Sequence, residues 1–113
     1  MKDQLFLLNS TTKNEEGVSG YCPDCALVKG YLAFYPQVVG HIDIVVIGPQ
    51  RPRREIVEKL GEENQGAPVL ILADASDLPD NIETKTANGL TFIDAPQSIL
   101  NYLGEKYKGG MPL

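Results

Sequence analysis

Residues 21–36 read YCPDCALVKGYLAFYP, and the fold turns on how the first five are taken. Both cysteines of the chain stand here, two residues apart. Leu27, Val28, Tyr31, Leu32 and Tyr35 follow at helical spacing, and Pro36 closes the pattern. Pro23 suits the first position of that helix, which sets Cys22 at its start and Cys25 one turn further in, on the same face. A helix N-terminus offers unpaired N–H groups and a partial positive charge, and both stabilise a thiolate. Cys22 is therefore predicted to attack and Cys25 to resolve the mixed disulfide that results.

Working outward, Gln4 to Asn9 hold a short apolar run bounded by STTKNEEG, which predicts a buried strand and a loop. IDIVVI, residues 42–47, is nearly all β-branched and reads as a strand covered on both faces. Pro52 suits the first turn of a helix carrying Ile56, Val57 and Leu60, with Gly61 as its stop. APVLIL gives another strand over Val69 to Leu72. The polar stretch ADASDLPDNIETKTANG reads as an exposed excursion before a last strand, Leu90 to Ile93. In DAPQSILNYLGEKY, Asp94 and Gln97 have capping-box spacing, while Ile99, Leu100, Leu103 and Tyr107 form one face. The tail KGGMPL is expected to fray. The order is β-α-β-α-β-β-α: one α/β domain over residues 1–113, a four-stranded mixed sheet flanked by helices.

The bulk properties narrow the function. A net charge of −5 gives no support to nucleic-acid binding, and RPRR at 51–54 is too short to reverse that. Leu5 to Leu8 is far too short for a signal-peptide core or a membrane span, so a cytoplasmic protein is expected. There structural disulfides are rare, and a close cysteine pair reads as catalytic or metal-binding ahead of two inert buried thiols. A closed zinc site needs four ligands, and besides carboxylates only His41 could add to the cysteines. A metal would thus need a second subunit, and no metal or other cofactor is assigned. Oligomeric state is not legible in the sequence.

YCPDC, APVLIL and SILNYLGEKY together resemble the thioredoxin superfamily: the C-P-x-C of glutaredoxins, the segment before the third strand, and the last helix of glutathione-transferase N-terminal domains. YCPDCALVKGYLAFYP, RPRREIV and GEENQGAPVLIL resemble most closely a bacterial thioredoxin-like family known only as a domain of unknown function. The resemblance implies a thioredoxin-like fold and thiol-disulfide exchange with a protein disulfide or a glutathione-type thiol. It implies that Cys22 attacks, that Cys25 resolves, that Pro68 is a cis-proline facing them, and that the Ala67 backbone pairs with a bound peptide or glutathione. The chain departs from the pattern at two places. GVSGY supplies no basic residue before Cys22, and Ala95 and Pro96 stand where transferases carry an acid-serine pair.

Arg51, Arg53 and Arg54 follow the second strand of a parallel unit, on the edge where the cysteine loop also lies, and are candidates for holding a substrate carboxylate. Tyr21 is a candidate roof for the site. Asp24 either opposes the Cys22 thiolate or complements the helix dipole, and His41 reads as a surface histidine. The reading is thus a thiol-disulfide oxidoreductase. Its rival is a non-catalytic module on the same fold, whose cysteines share a metal between subunits.

Overall fold

The computed structural model describes residues 1–9, 12–13 and 15–113, with only the backbone at Thr12. Ser10, Thr11 and Asn14, in the predicted loop, lie outside the described residues. The chain runs β1 (Asp3–Leu8), β2 (Thr12–Lys13), β3 (Ser19–Gly20), α1 (Pro23–Phe34) and α2 (Pro36–Val39). It continues through β4 (Ile42–Ile47), α3 (Arg54–Leu60), β5 (Val69–Ile71), β6 (Lys85–Ala87), β7 (Leu90–Ile93) and α4 (Pro96–Tyr107).

One mixed five-stranded sheet has the order β4-β1-β5-β7-β6, and β2 pairs with β3 apart from it. β1 and β4 are parallel, with Asp3 opposite Ile42 and Leu8 opposite Ile47. β5, β7 and β6 follow antiparallel. Side chains alternate across the pleat, so β1 feeds two cores. Leu5 and Leu7 join Leu70 and Ile93 beneath Val28 and Leu32 of α1 and Ile99 and Leu103 of α4. Phe6, on the other face, joins Val69, Ile71 and Phe92 under Ile56 and Leu60 of α3. Helices therefore cover both faces.

The predicted sheet is one strand short of the real one. β6 sits inside the stretch read as an exposed excursion, and it hairpins onto β7 through Asn88 (φ 50°) and Gly89 (φ 76°). Asn-Gly supplies the two positive φ values that a two-residue hairpin turn needs, so the signal was present. Polar KTA is what an outermost strand tolerates. β4 is corrected in the other sense: it lies at the opposite edge, bonded only to β1, and Ile44 and Val46 are exposed while Ile42 and Ile47 are buried.

Three local expectations also change. α3 opens at Arg54 with Arg53 as its cap, so Pro52 lies before the helix rather than in its first turn. α4 opens at Pro96 with Ala95 as its cap, so Asp94 falls outside a capping box. Its carboxylate instead accepts from Lys85 Nζ of β6 at 2.8 Å. The tail is docked rather than frayed: the Tyr31 hydroxyl donates to the Gly110 carbonyl at 2.7 Å. Gly104 permits that approach, since a Cβ there would sit 2.7 Å from Met111 Sδ and 2.8 Å from Gly110 O.

Candidate functional site

The site lies where β1 and β4 end together, since their parallel pairing brings both following loops to one edge of the sheet. Cys22 caps α1 in an extended conformation (φ −84°, ψ 111°), and Pro23 takes the first helical position, where a missing N–H costs nothing. The N–H of Cys25 donates to Cys22 Sγ at 3.1 Å, which is one of the orphan donors of the helix start. From the other side the Cys22 thiol donates to the Ala67 carbonyl at 3.8 Å. The Ala67–Pro68 bond is cis. Cys22, Cys25 and Ala67 therefore meet at one place, with Pro68 next along the chain.

The two thiols are in different surroundings. Both are free; Cys22 is half-buried and Cys25 is buried among Leu5, Val28 and Leu32. Burial, a hydrogen bond to the Cys22 sulfur and the like charge of Cys22 push the Cys25 thiol up to about 12. The Leu8 N–H, which donates to Cys25 Sγ at 3.4 Å, and the charge of Arg53 act in the opposite direction and are outweighed. Cys25 thus keeps its proton at neutral pH, and Cys22 is the sulfur that solvent reaches.

A cavity of about 210 Å³ opens over Cys22, lined by Leu8, Tyr21, Cys22, Cys25, Ala26 and Lys29. Tyr21 flanks this cavity with its ring exposed. Beyond Ala26 an apolar trough continues along the outer face of α1, past Leu27, Gly30 and Phe34 to Leu100 of α4. Among the described residues, no group of three or more His, Cys, Asp or Glu side chains is arranged to hold a metal ion. No helix of the described residues is long and apolar enough to cross a membrane.

The three arginines separate. Arg53 is partly buried, and its charge acts on both sulfurs. Its Nε donates to Pro49 O at 3.1 Å and its Nη1 to Gln65 O at 2.8 Å. Arg51 and Arg54 are exposed.

A family model described as a protein of unknown function (DUF3088) matches residues 2–111. The chain belongs to this family. No curated protein and no solved structure matches.

Two contributors escaped the sequence reading. Lys29 stands four residues after Cys25 and seven after Cys22, a spacing that puts it on the dithiol's face and could have identified it. Gln65 carries no sequence signal, yet its Oε1 accepts the Arg53 N–H at 2.8 Å. Asp24 is exposed in the first turn of α1. His41 lies far from the dithiol in the fold and stacks on Tyr107, ring centres 5.0 Å apart.

Proposed function

We propose that this protein is a thiol-disulfide oxidoreductase with a thioredoxin-like core, using Cys22 and Cys25. The observation that carries the reading is the asymmetry of the pair. A half-buried sulfur at a helix cap accepts a backbone N–H, and it touches a buried thiol held in its protonated form. Those are the needs of an attacking and a resolving cysteine. The sheet order, with a parallel β1–β4 pair joined to antiparallel β5 and β7, supports the fold assignment.

The chemistry follows from the arrangement. The Cys22 thiolate attacks one sulfur of a substrate disulfide; a Cys22–substrate S–S bond forms and the substrate S–S bond breaks. The departing thiolate takes a proton from solvent. With Cys22 bonded, burial still favours the protonated Cys25 thiol, but the negative charge of Cys22, a smaller cause, is gone. Cys25 then attacks Cys22 while its proton passes to the leaving substrate sulfur, closing the Cys22–Cys25 disulfide and expelling the second substrate thiol. Two electrons pass from the dithiol to the substrate, and a thiol donor restores it.

The apolar trough beside the cavity supports a protein disulfide as the substrate, with a glutathione-type thiol as the electron donor. A reducing, cytoplasmic setting belongs to the same proposal. The test is equilibration in dithiothreitol buffers of stepped redox ratio, with the free thiols counted by mass. Reversible loss of both thiols in one two-electron step is expected. Failure of Cys22 and Cys25 to join in a disulfide would refute the reading, and zinc or iron bound in proportion to the cysteines would favour the metal-sharing module.

A further inference from the structure

Arg53 stands apart from the arginines beside it because its position is fixed. Its backbone N–H is bonded to the Gln65 side chain, and its guanidinium bridges the carbonyls of Pro49 and Gln65. These bonds tie the turn after β4 to the stretch that ends at Ala67, whose carbonyl faces Cys22. A planar guanidinium held at two carbonyls cannot swing away to solvent as a lysine ammonium does.

The electrostatic surroundings explain what that fixed charge faces. Burial and the neighbouring Arg51 disfavour the charged guanidinium, while the sulfurs of Cys22 and Cys25 favour it. Among the described residues, those lining or flanking the cavity add the ionisable groups of Asp24 and Lys29 on α1 and Tyr21 before it. β1 brings the Leu8 N–H, and the loop before β5 the Ala67 carbonyl.

We infer that Arg53 is a positioning residue of the dithiol: it holds the Gln65–Ala67 stretch against Cys22 and keeps a fixed positive charge facing the attacking sulfur. This rests on the reading of Cys22 as nucleophile. Arg53 does not touch the substrate; it acts through the loop it fastens and through its field. The carboxylate-binding role expected of all three arginines then falls to Arg51 and Arg54.

The test is the pH profile of iodoacetamide alkylation at Cys22 in the reduced full-length protein, with the modified site assigned by mass spectrometry. Arg53→Gln should displace the profile to higher pH and slow alkylation at pH 7 about three- to tenfold, the reach of one nearby charge in a partly exposed site. Arg53→Lys, which keeps a positive charge but loses the two-carbonyl anchorage, should recover only part of that loss. Lys85→Gln, an equal change of net charge on the far edge strand, should leave the profile in place. A profile unaltered by Arg53→Gln, or displaced equally by Lys85→Gln, would overturn the inference. Should Arg53→Gln not fold, the wild-type Nε–H resonance of Arg53 decides. It should move with the midpoint of Cys22 alkylation, and a resonance constant through that midpoint overturns the inference. Failure of the underlying redox reading shows separately, as a wild-type dithiol that never closes in the dithiothreitol titration.

Discussion

The two ends of β1 each hold ionisable side chains, and they are satisfied to opposite degrees. At the start of the strand, Asp3 is buried and its carboxylate is fully engaged. Oδ1 accepts the Ala73 N–H at 2.8 Å, and Oδ2 accepts the hydroxyls of Tyr102 at 2.7 Å and Tyr107 at 2.6 Å. About 16 Å away along the strand, Leu8 meets the dithiol. There Cys22 has one N–H donor, one distant carbonyl and an open cavity. A buried carboxyl group with its partners in place fastens α4 to the sheet and leaves nothing to react. A sulfur left half-served at a helix cap has capacity for a substrate. One end of the strand holds the fold together, and the other leaves room for chemistry.

The largest expected effect breaks the first end. Asp3→Ala strands the buried Tyr102 hydroxyl, the half-buried Tyr107 hydroxyl and a backbone N–H, and should cost about 3–5 kcal/mol in urea unfolding. Cys22→Ser should cost less than about 1 kcal/mol in the same assay. Equal losses would erase the contrast. Next comes the substrate side of the dithiol. Arg51→Ala with Arg54→Ala should slow glutathione-dependent reduction of the Cys22–Cys25 disulfide about ten- to a hundredfold, the worth of a charge-assisted hydrogen bond of about 1.5–3 kcal/mol. An unchanged rate would remove both from carboxylate binding.

A smaller effect is expected at the tail. Gly110→Ala would drive a Cβ into the Tyr35 hydroxyl and should cost about 1–2 kcal/mol by displacing residues 109–112. Unfolding indistinguishable from wild type would mean that the tail contributes nothing to stability.

The smallest effect sharpens the comparison by pH. Cys25 stays protonated in the folded state, whereas in the unfolded chain it ionises near pH 8.5. Its contribution to stability is complete below that value and declines as pH rises toward about 12. By pH 9 the reduced protein should have lost about 0.8 kcal/mol, and Cys25→Ala should remove that slope. Tyr102 and Tyr107 are pushed up by burial and by Asp3, so the other end should begin to weaken only above about pH 10. Stability that is flat from pH 8 to 10 would contradict the placement of Cys25.

Legibility followed sequence distance. The dithiol lies within a few residues, and proline and helical spacing mark its place at a helix start, so its residue pattern was readable. The α/β order was readable because each main strand and helix carries its own periodicity. The Asp3 network was not: its members lie near opposite ends of the chain, and a lone Asp beside an apolar run looks like any surface carboxylate. The different settings of Arg53 and of Arg51 and Arg54 were equally hidden, because they depend on carbonyls that no sequence pattern reports. β6 was missed for a different reason. Its polar residues suit an edge, and the Asn88-Gly89 turn was outweighed by the acidic stretch before it.

The most direct measurement of the central claim is trapping of mixed disulfides by Cys25→Ser and Cys22→Ser variants exposed to a model protein disulfide, resolved on non-reducing gels. If Cys22 attacks and Cys25 resolves, Cys25→Ser accumulates a covalent adduct through Cys22 that reductant releases, and Cys22→Ser accumulates none. Adducts formed through Cys25 instead, or none in either variant, would contradict the account.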